Sequence, residues 1–482
     1  MDGRRHGYLS SEAGAVAPIV AISLVALIGM GGLAYDVSRG LALRAELQSA
    51  VDAAALAGAT QLDGSQGAEA RAKVVAGGVL AQNPQILADL AEANVVVDPN
   101  RDITFLANAQ TAAVAPNGAQ ARFIQINLTP RRLGVLFGAF ARVANFDVSA
   151  HAIAGLGTAL CRAPPILICN PLEGSSQTFN GDANTGRGIV LQPAGAQAWQ
   201  PGQYGLVDSP SLNDAGGAPL HTGAASTFDA IARVDPQIQC IGDSITVEPV
   251  TFQVADAFNV RFDIYNGQAS GLQDQAHQPA MNTISGFDNT VGGGLCTPTR
   301  IGEAYDGSNV ARVTAMALPR DACAYGTSAT CNPGLGDGNW SVADYSHINF
   351  NAQASPNGTT RFQVYQWELQ SLANNDAIWS GQQGSTTGVG ADFAPPRCNA
   401  TATQQIPDRR VISASVVNCL AQNISGRTEQ VPVIARVDIF LTEPVGATNT
   451  DNNVIYGEIL GSTDAASPAG QATLLSTVRL YG

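Results

Sequence analysis

Eight cysteines, five histidines and a scatter of carboxylates are the side chains with which this 482-residue chain could do chemistry. The cysteines are Cys161, Cys169, Cys240, Cys296, Cys323, Cys331, Cys398 and Cys419. Zinc would need a compact group such as C-x₂₋₄-C with a second cysteine or histidine pair, and none is written here. An even set of well-separated cysteines suits disulfides in an oxidising compartment instead. Short loops favour Cys161–Cys169, Cys323–Cys331 and Cys398–Cys419, which leaves Cys240–Cys296. Each such closure typically contributes about 2–4 kcal/mol.

The histidines, His6, His151, His221, His277 and His347, form no H-E-x-x-H pair. His151 follows a strand-like segment and is expected to make a local hydrogen bond. No phosphate loop G-x-x-x-x-G-K-[ST], nucleophile elbow G-x-S-x-G or calcium loop D-x-[DN]-x-[DN]-G occurs. Asp256, Asp263, Glu443, Glu458 and Asp464 could run glycosidic acid/base chemistry only if folding set their separation and pKa values. Structural pairing, with Arg261 beside Asp263, is the simpler expectation. Phe258, Phe262, Tyr265, Trp367 and Trp379 read as core aromatics, with a recognition groove as the alternative. We therefore expect no catalytic residue, no metal and no cofactor. A net charge of −14 also argues against nucleic-acid binding, which needs a basic surface.

The elements that would carry these residues begin with an uncharged run over 13–35, AGAVAPIVAISLVALIGMGGLAY. A helix needs roughly 20 apolar residues to cross a hydrocarbon core about 30 Å thick. Arg4, Arg5 and His6 precede the run, whereas the charges of Asp36, Arg39, Arg44 and Glu46 behind it largely cancel. This predicts a cytoplasmic N-terminus (1–13), a transmembrane helix (14–35) and an extracytoplasmic remainder. A cleaved signal peptide would have a shorter apolar region ending in a small-x-small site. Here a helical pattern continues without a break. Gly14, Pro18, Gly29, Gly31, Gly32 and Tyr35 mark the anchor, and the glycine cluster would bend the helix or admit a neighbour.

Beyond the run, Leu43, Leu47, Val51, Ala54, Ala55 and Gly58 recur at spacings of three or four, a stripe on a stalk helix over 36–60. Either a partner helix or the protein's own next domain could cover it. Residues 71–90 carry a second helical pattern. Strands are expected at 95–97, 103–106, 122–128 and 146–153, with a helix from Thr129-Pro130 through Phe140. Together they form a small α/β domain over 61–157. From 158 to 482 strand signals dominate, at 189–191, 245–252, 310–316, 361–367, 411–417, 431–441, 454–460 and 473–481, with long surface loops at 267–295 and 375–393. The fold class is α+β, a membrane and stalk helix, a small α/β domain and a larger mainly β body with room for two subdomains.

The block over 14–59 resembles the N-terminal module of TadE/TadG-like Flp (tight adherence) pilus-assembly proteins. Gly14, Tyr35-Asp36, Arg39, Leu47-Gln48 and Asp52-Ala-Ala-Ala-Leu-Ala-Gly-Ala59 carry the likeness. The segments 161–171, 259–265, 431–443 and 455–458 resemble the long TadG-like members. The resemblance implies a non-catalytic envelope component for assembly or anchoring of an Flp-type pilus. It would sit in the inner membrane with a periplasmic body, among other pilus-assembly or pilin-like membrane proteins. A tethered adhesin-like or polysaccharide-binding module, meeting a surface glycan or protein, is the alternative. Two departures stand out. Ile19 occupies the fifth position after Gly14, where peptidase-processed relatives have Glu. Asp208-Ser-Pro210-Ser-Leu212 has Pro210 and Leu212 at the two serine positions of the Asp-x-Ser-x-Ser signature of a von Willebrand A-type metal site.

Overall fold

A computed structural model describes all residues except 1–12, 63–66, 83–97, 109–112, 117, 119–120, 129–130, 135–136, 138–144, 176–178, 210–211, 213–222, 251–253, 289–298, 326–333, 351–357, 375–395, 400, 404–407, 447–452, 465–466 and 482. The architecture is α+β, in two compact units, Met1–Gly157 with Ser476–Gly482, and Thr158–Leu475.

The first unit is built on one unbroken helix, α1 (Ala13–Ala59), about 70 Å long at 1.5 Å per residue. Pro18 lies within its first two turns and does not end it. Over its first half the large apolar side chains are exposed, from Ile19 and Ile22 to Met30 and Leu33. The most apolar window of this helix has a mean hydropathy of 2.0, and by length and composition it can cross a membrane. Over its second half the stripe Leu43, Leu47, Val51, Ala54 and Ala55 is buried. It packs with Ala72 and Ala76 of α2 (Ala68–Gln82) and with Ile124, Ile126 and Ala152 of the sheet, so the unit's own core covers it. Gly58 lets these layers close, since a Cβ there would stand 2.7 Å from Ile124 Cδ1. The partner-helix alternative for this stripe is thereby corrected. A partner would have to displace the domain's own core.

The sheet comprises β1 (Ile103–Asn108), β2 (Ala113–Val114), β3 (Phe123–Asn127), β6 (His151–Leu160) and the last strand of the chain, Leu474–Leu480, in the order last–β6–β3–β1–β2. In β3, Ile124 and Ile126 face the core while Phe123, Gln125 and Asn127 do not, the period-two pattern of a half-buried strand. A separate hairpin pairs β4 (Arg131–Gly134) with β5 (Asn145–Val148), Arg131 opposite Val148. The helix expected from 129 to 140 is thus corrected over 131–134. These residues hydrogen-bond to β5 rather than along the chain. The strand expected at 95–97 lies outside the described residues.

In the second unit, β7 (Ile166–Cys169), β8 (Gly188–Pro193), β9 (Gln203–Val207), β10 (Ser244–Glu248), β13 (Val411–Val417), β14 (Thr428–Pro432), β15 (Ala435–Leu441) and β16 (Ile455–Ser462) form one sheet, and β11 (Phe287–Asp288) pairs with β12 (Thr299–Arg300) beside it. We label the last strand β17. In the large sheet β9 faces β7 along one edge, and β10 and β8 along the other. That closes β9–β7–β13–β15–β16–β8 into a barrel-like ring, with β14 beyond β10. Alternate residues point to one core, among them Ile166 and Ile168, Ile189 and Leu191, Ile412, Ala414 and Val416, and Val437 and Ile439. The opposite face, including Leu167, Val207, Val247 and Val417, fills a second core with Trp199. All seven residues of β13 are buried, since it lies between parallel β7 and antiparallel β15.

Helices α3 (Gly223–Ala232), α4 (Ala255–Asn259), α5 (Val342–Phe350), α6 (Arg361–Ala373) and the short α7 (Gly470–Thr473) complete the unit. Segment 361–367, expected as a strand, is helical. Thr360 accepts from Gln363 N and Gln363 reaches back to Thr360 N, a capping box, and Arg361, Val364, Tyr365, Glu368 and Ser371 share the buried face. Segment 310–316, also expected as a strand, contains a 3₁₀ turn, Val310–Arg312, and no strand. There the side chain of Asn349 bonds both Met316 N (3.1 Å) and Met316 O (2.9 Å), in place of a strand neighbour. Of the surface loop expected at 267–295, residues 267–276 are largely exposed, whereas 277–287 are not, for His277, Asn282, Thr283 and Ile284 are buried. The loop at 375–393 lies outside the described residues.

Candidate functional site

The apolar segment meets folded protein at a seat formed by Gly32, Tyr35 and Asp36 of α1 with Phe137, between β4 and β5. A Cβ on Gly32 would lie 2.5 Å from Phe137 Cβ, so only glycine lets the two pack. Added Cβ atoms on Gly29 and Gly31 would meet nothing within 4 Å. Phe137 N donates to Asp36 Oδ2 at 2.8 Å, and Asp36 is 2% exposed. A buried carboxylate requires such donors. The Tyr35 and Phe137 rings meet edge to face at 6.1 Å, and the Arg39 guanidinium stands 5.9 Å from the Tyr35 ring centre. Further along, Gln48 Nε2 donates to His151 O and to Asp52 Oδ1, each at 2.7 Å, while His151 N donates to Gln48 Oε1 at 3.4 Å. The polar residues of α1 therefore fasten it to the hairpin and to β6. What this arrangement can do is hold a helix of bilayer length rigidly in a folded domain.

In the second unit the carboxylates singled out from sequence each have their own partners. Asp263 accepts from the backbone N–H groups of Arg397, Cys398 and Asn399 at 2.6, 2.7 and 2.9 Å, not from Arg261. Asp256 accepts from Gln268 N. Glu443 pairs with Arg320 at 2.6 Å, and the Arg320 guanidinium lies 3.3 Å from the Tyr456 ring centre. Fully buried Arg361 links Asp321 and Glu458. Burial raises the Glu458 pKa despite the opposing charge of Arg361. Arg320, Asp321, Arg361 and Tyr456 line a cavity of about 290 Å³ with Gly188 and Cys323. Asp321, Cys323 and Asp337 could each present one ligand atom within 4.8 Å of the others. Cys323, however, is in a disulfide and offers no thiolate, and Asp321 Oδ2 already accepts from Gly188 N and Gly338 N. Asp208, at the altered metal-site string, pairs with Arg427 at 2.8 Å.

Sequence reasoning missed the groups that are electrostatically most unusual. His277 sits between Asp274 (2.8 Å to Nδ1) and Asp229 (3.1 Å to Nε2). Burial works to lower its pKa, but the two carboxylates prevail and raise it. With both ring nitrogens engaged by carboxylates, neither is open to act as a base toward a nucleophile. Arg410 is buried among Phe262, Tyr365 and Phe440, each ring centre 4.7–4.8 Å away. Glu368, also buried, accepts from Tyr345 O–H at 2.5 Å and Asn282 Nδ2 at 2.7 Å. Burial pushes its pKa up to about 7, with Tyr345, Arg410 and Asn282 opposing the rise.

Glu368 carries a prediction for pH dependence. Its folded pKa lies above the unfolded value of 4.5, so the folded state holds more protons between pH 4.5 and 7. Stability should fall as pH rises through that window, by on the order of 3 kcal/mol if this group acts alone. Glu368→Gln keeps the shape without the charge and is expected to flatten the dependence, gaining most above pH 7. Urea unfolding of both proteins at pH 5 and pH 8 checks it. Parallel loss in both would show that Glu368 is not the source.

The two disulfides whose cysteines both lie among the described residues connect sheet neighbours, not sequence neighbours. Cys161 joins Cys240, and Cys169 joins Cys419. Leu160 and Ile241 form an antiparallel bridge, which places Cys161 beside Cys240. Cys169 ends β7 opposite Val417 of β13, two residues before Cys419. The expected Cys161–Cys169, Cys240–Cys296 and Cys398–Cys419 pairings are corrected accordingly. Cys323 and Cys398 are disulfide-bonded as well, while Cys296 and Cys331 lie outside the described residues. Phe258, Phe262 and Tyr265 are core residues, and Trp367 packs partly buried against a third cluster. Trp379 lies outside the described residues.

Fold and seat define a protein in which a helix able to cross a membrane is also the spine of an α+β domain. Residues 14–61 match the Tad family, described as putative Flp pilus-assembly TadE/G-like. The chain thus carries a TadE/G-like segment, and that segment coincides with α1. No curated protein and no solved structure matches the chain.

Proposed function

We propose that this protein is a single-pass, non-catalytic envelope component that assembles or anchors an Flp-type adherence pilus. The observation that carries the reading is the coincidence of the TadE/G-like match with a helix exposed and apolar in its first half and buried as domain core in its second. A helix built this way passes load on the domain directly to the membrane, with no flexible linker to absorb it. In this reading Arg4 and Arg5 keep the N-terminus in the cytoplasm and the inner membrane holds 14–35. The disulfide-bonded body then lies in the oxidising periplasm. Its partners would be other pilus-assembly or pilin-like membrane proteins.

Deletion of the gene, with pili counted by electron microscopy, tests the role. Loss of pili restored by the intact chain is the expected result. Normal piliation with lost surface attachment would overturn assembly in favour of adhesion. Carbonate extraction of envelopes from the same strains should leave the full-length chain in the membrane pellet.

A further inference from the structure

A cavity of about 200 Å³ in the second unit is lined by four arginines, Arg162, Arg233, Arg261 and Arg409, and two carboxylates, Asp235 and Asp408. Their bookkeeping does not balance. Asp235 pairs with Arg162 at 3.4 Å, and Arg233 pairs with Asp229 at 3.5 Å. Asp408 takes its hydrogen bonds from Tyr365 O–H and Arg410 N, both at 2.8 Å. Arg261 and Arg409, 3% and 6% exposed, have no carboxylate within ion-pair distance among the described residues.

Instead they donate to backbone carbonyls. Arg261 bonds Arg409 O and Ile231 O, and Arg409 bonds Gln278 O, Ala232 O and Arg233 O. Three of these acceptors belong to or follow the last turn of α3. A helix C-terminus carries about half a negative charge, which offsets part of one guanidinium but not two. Burial lowers the proton affinity of Arg261, with the charge of Arg409 adding to the effect and that of Asp408 opposing it; burial also lowers Arg409 to about 10, against Tyr265 and Asp408. Further, among the described residues Arg261 Nε and Arg233 Nε are buried without a hydrogen-bond partner. A buried donor left unpaired costs about 1–3 kcal/mol, more when charged. Two unpaired guanidinium N–H groups and an excess of positive charge around one cavity describe a site built for an anion.

We propose that this cavity binds a small inorganic oxyanion of the phosphate or sulfate class, held by Arg261 and Arg409 with Arg233. Guanidinium forks match the oxygen spacing of such anions, and the cavity has room for one. The ligand would serve as a structural counter-ion of the body, and the reading is independent of any role in pilus assembly.

Isothermal titration calorimetry on the full chain in detergent tests it, with phosphate and sulfate titrated separately. Chloride at equal ionic strength controls for screening. Saturable binding of either oxyanion, weakened tenfold or more in Arg233→Gln and Arg261→Lys, is expected. Arg233 is partly exposed and its backbone bond to Asp229 O at the end of α3 survives substitution, so its variant keeps the test open if Arg261→Lys does not fold. No saturable heat with either anion would overturn the site, as would affinity unchanged in every folded variant.

Discussion

Arg361→Met is expected to destabilise the second unit by about 3–5 kcal/mol, among the largest effects of any single substitution in this chain. The side chain is 1% exposed and its guanidinium serves Asp321, Glu458 and the carbonyl of Pro319 at once. Methionine fills comparable volume but leaves two buried carboxylates without a cation. Asp321 would retain Gly188 N and Gly338 N, and Glu458 would retain the backbone N–H groups of residues 361 and 362. Those bonds do not replace a charge. Glu458 already has a raised pKa, and removing Arg361 takes away the strongest influence holding it down. The variant should therefore recover part of its stability at pH 5, where protonation relieves the unpaired charge. Adding Glu458→Gln should recover part of it at pH 8. Urea unfolding followed by tryptophan fluorescence measures all three. A loss below 1 kcal/mol would show that the triad contributes little.

Removing the Cys169–Cys419 bridge as Cys169→Ser with Cys419→Ser should cost roughly 5 kcal/mol in the chain-entropy treatment. The bridge closes a separation of 250 residues, whereas a bond between Cys161 and Cys169 would close only a short loop and contribute about half as much. Cys169 ends β7 and Cys419 lies just past β13, both buried in one core cluster, so the bond also secures the parallel β7–β13 pairing, which has no hairpin to hold it. Non-reducing peptide mapping gives the direct check. Peptides containing residues 169 and 419 should run together, as should those containing 161 and 240. A peptide pair joining 161 to 169 would contradict the sheet register itself.

Much of the architecture was legible because its signals are local. The run 13–35 states its length and apolarity outright, and the spacing of Leu43, Leu47 and Val51 carries the same helix forward. Strands such as 411–417 and β3 announce themselves by β-branched content or alternation. The helix at 361–373 was legible too, in Thr360-x-x-Gln363 and the 361/364/365/368 spacing, but its aromatic and β-branched residues read more strongly as a strand. No local signal marked 310–316 as irregular, since its backbone partner is the side chain of Asn349, more than thirty residues away.

The candidate site divides along the same line. Sequence alone determined that a bilayer-length helix runs directly into an amphipathic one, because hydropathy and helical periodicity are properties of consecutive residues. It also marked Gly32, Tyr35 and Asp36 as the exit of the apolar run. Tertiary structure decided that Phe137 seats on Gly32 and bonds Asp36, and that the stripe from Leu43 to Gly58 belongs to the protein's own core. It alone decided the disulfide partners, because sheet register brings residues 79 and 250 positions apart within bonding reach. The arginine-lined cavity is of the same kind. Arg233, Arg261 and Arg409 stand far apart in the chain, and only folding places their charges around one space without enough carboxylates to match.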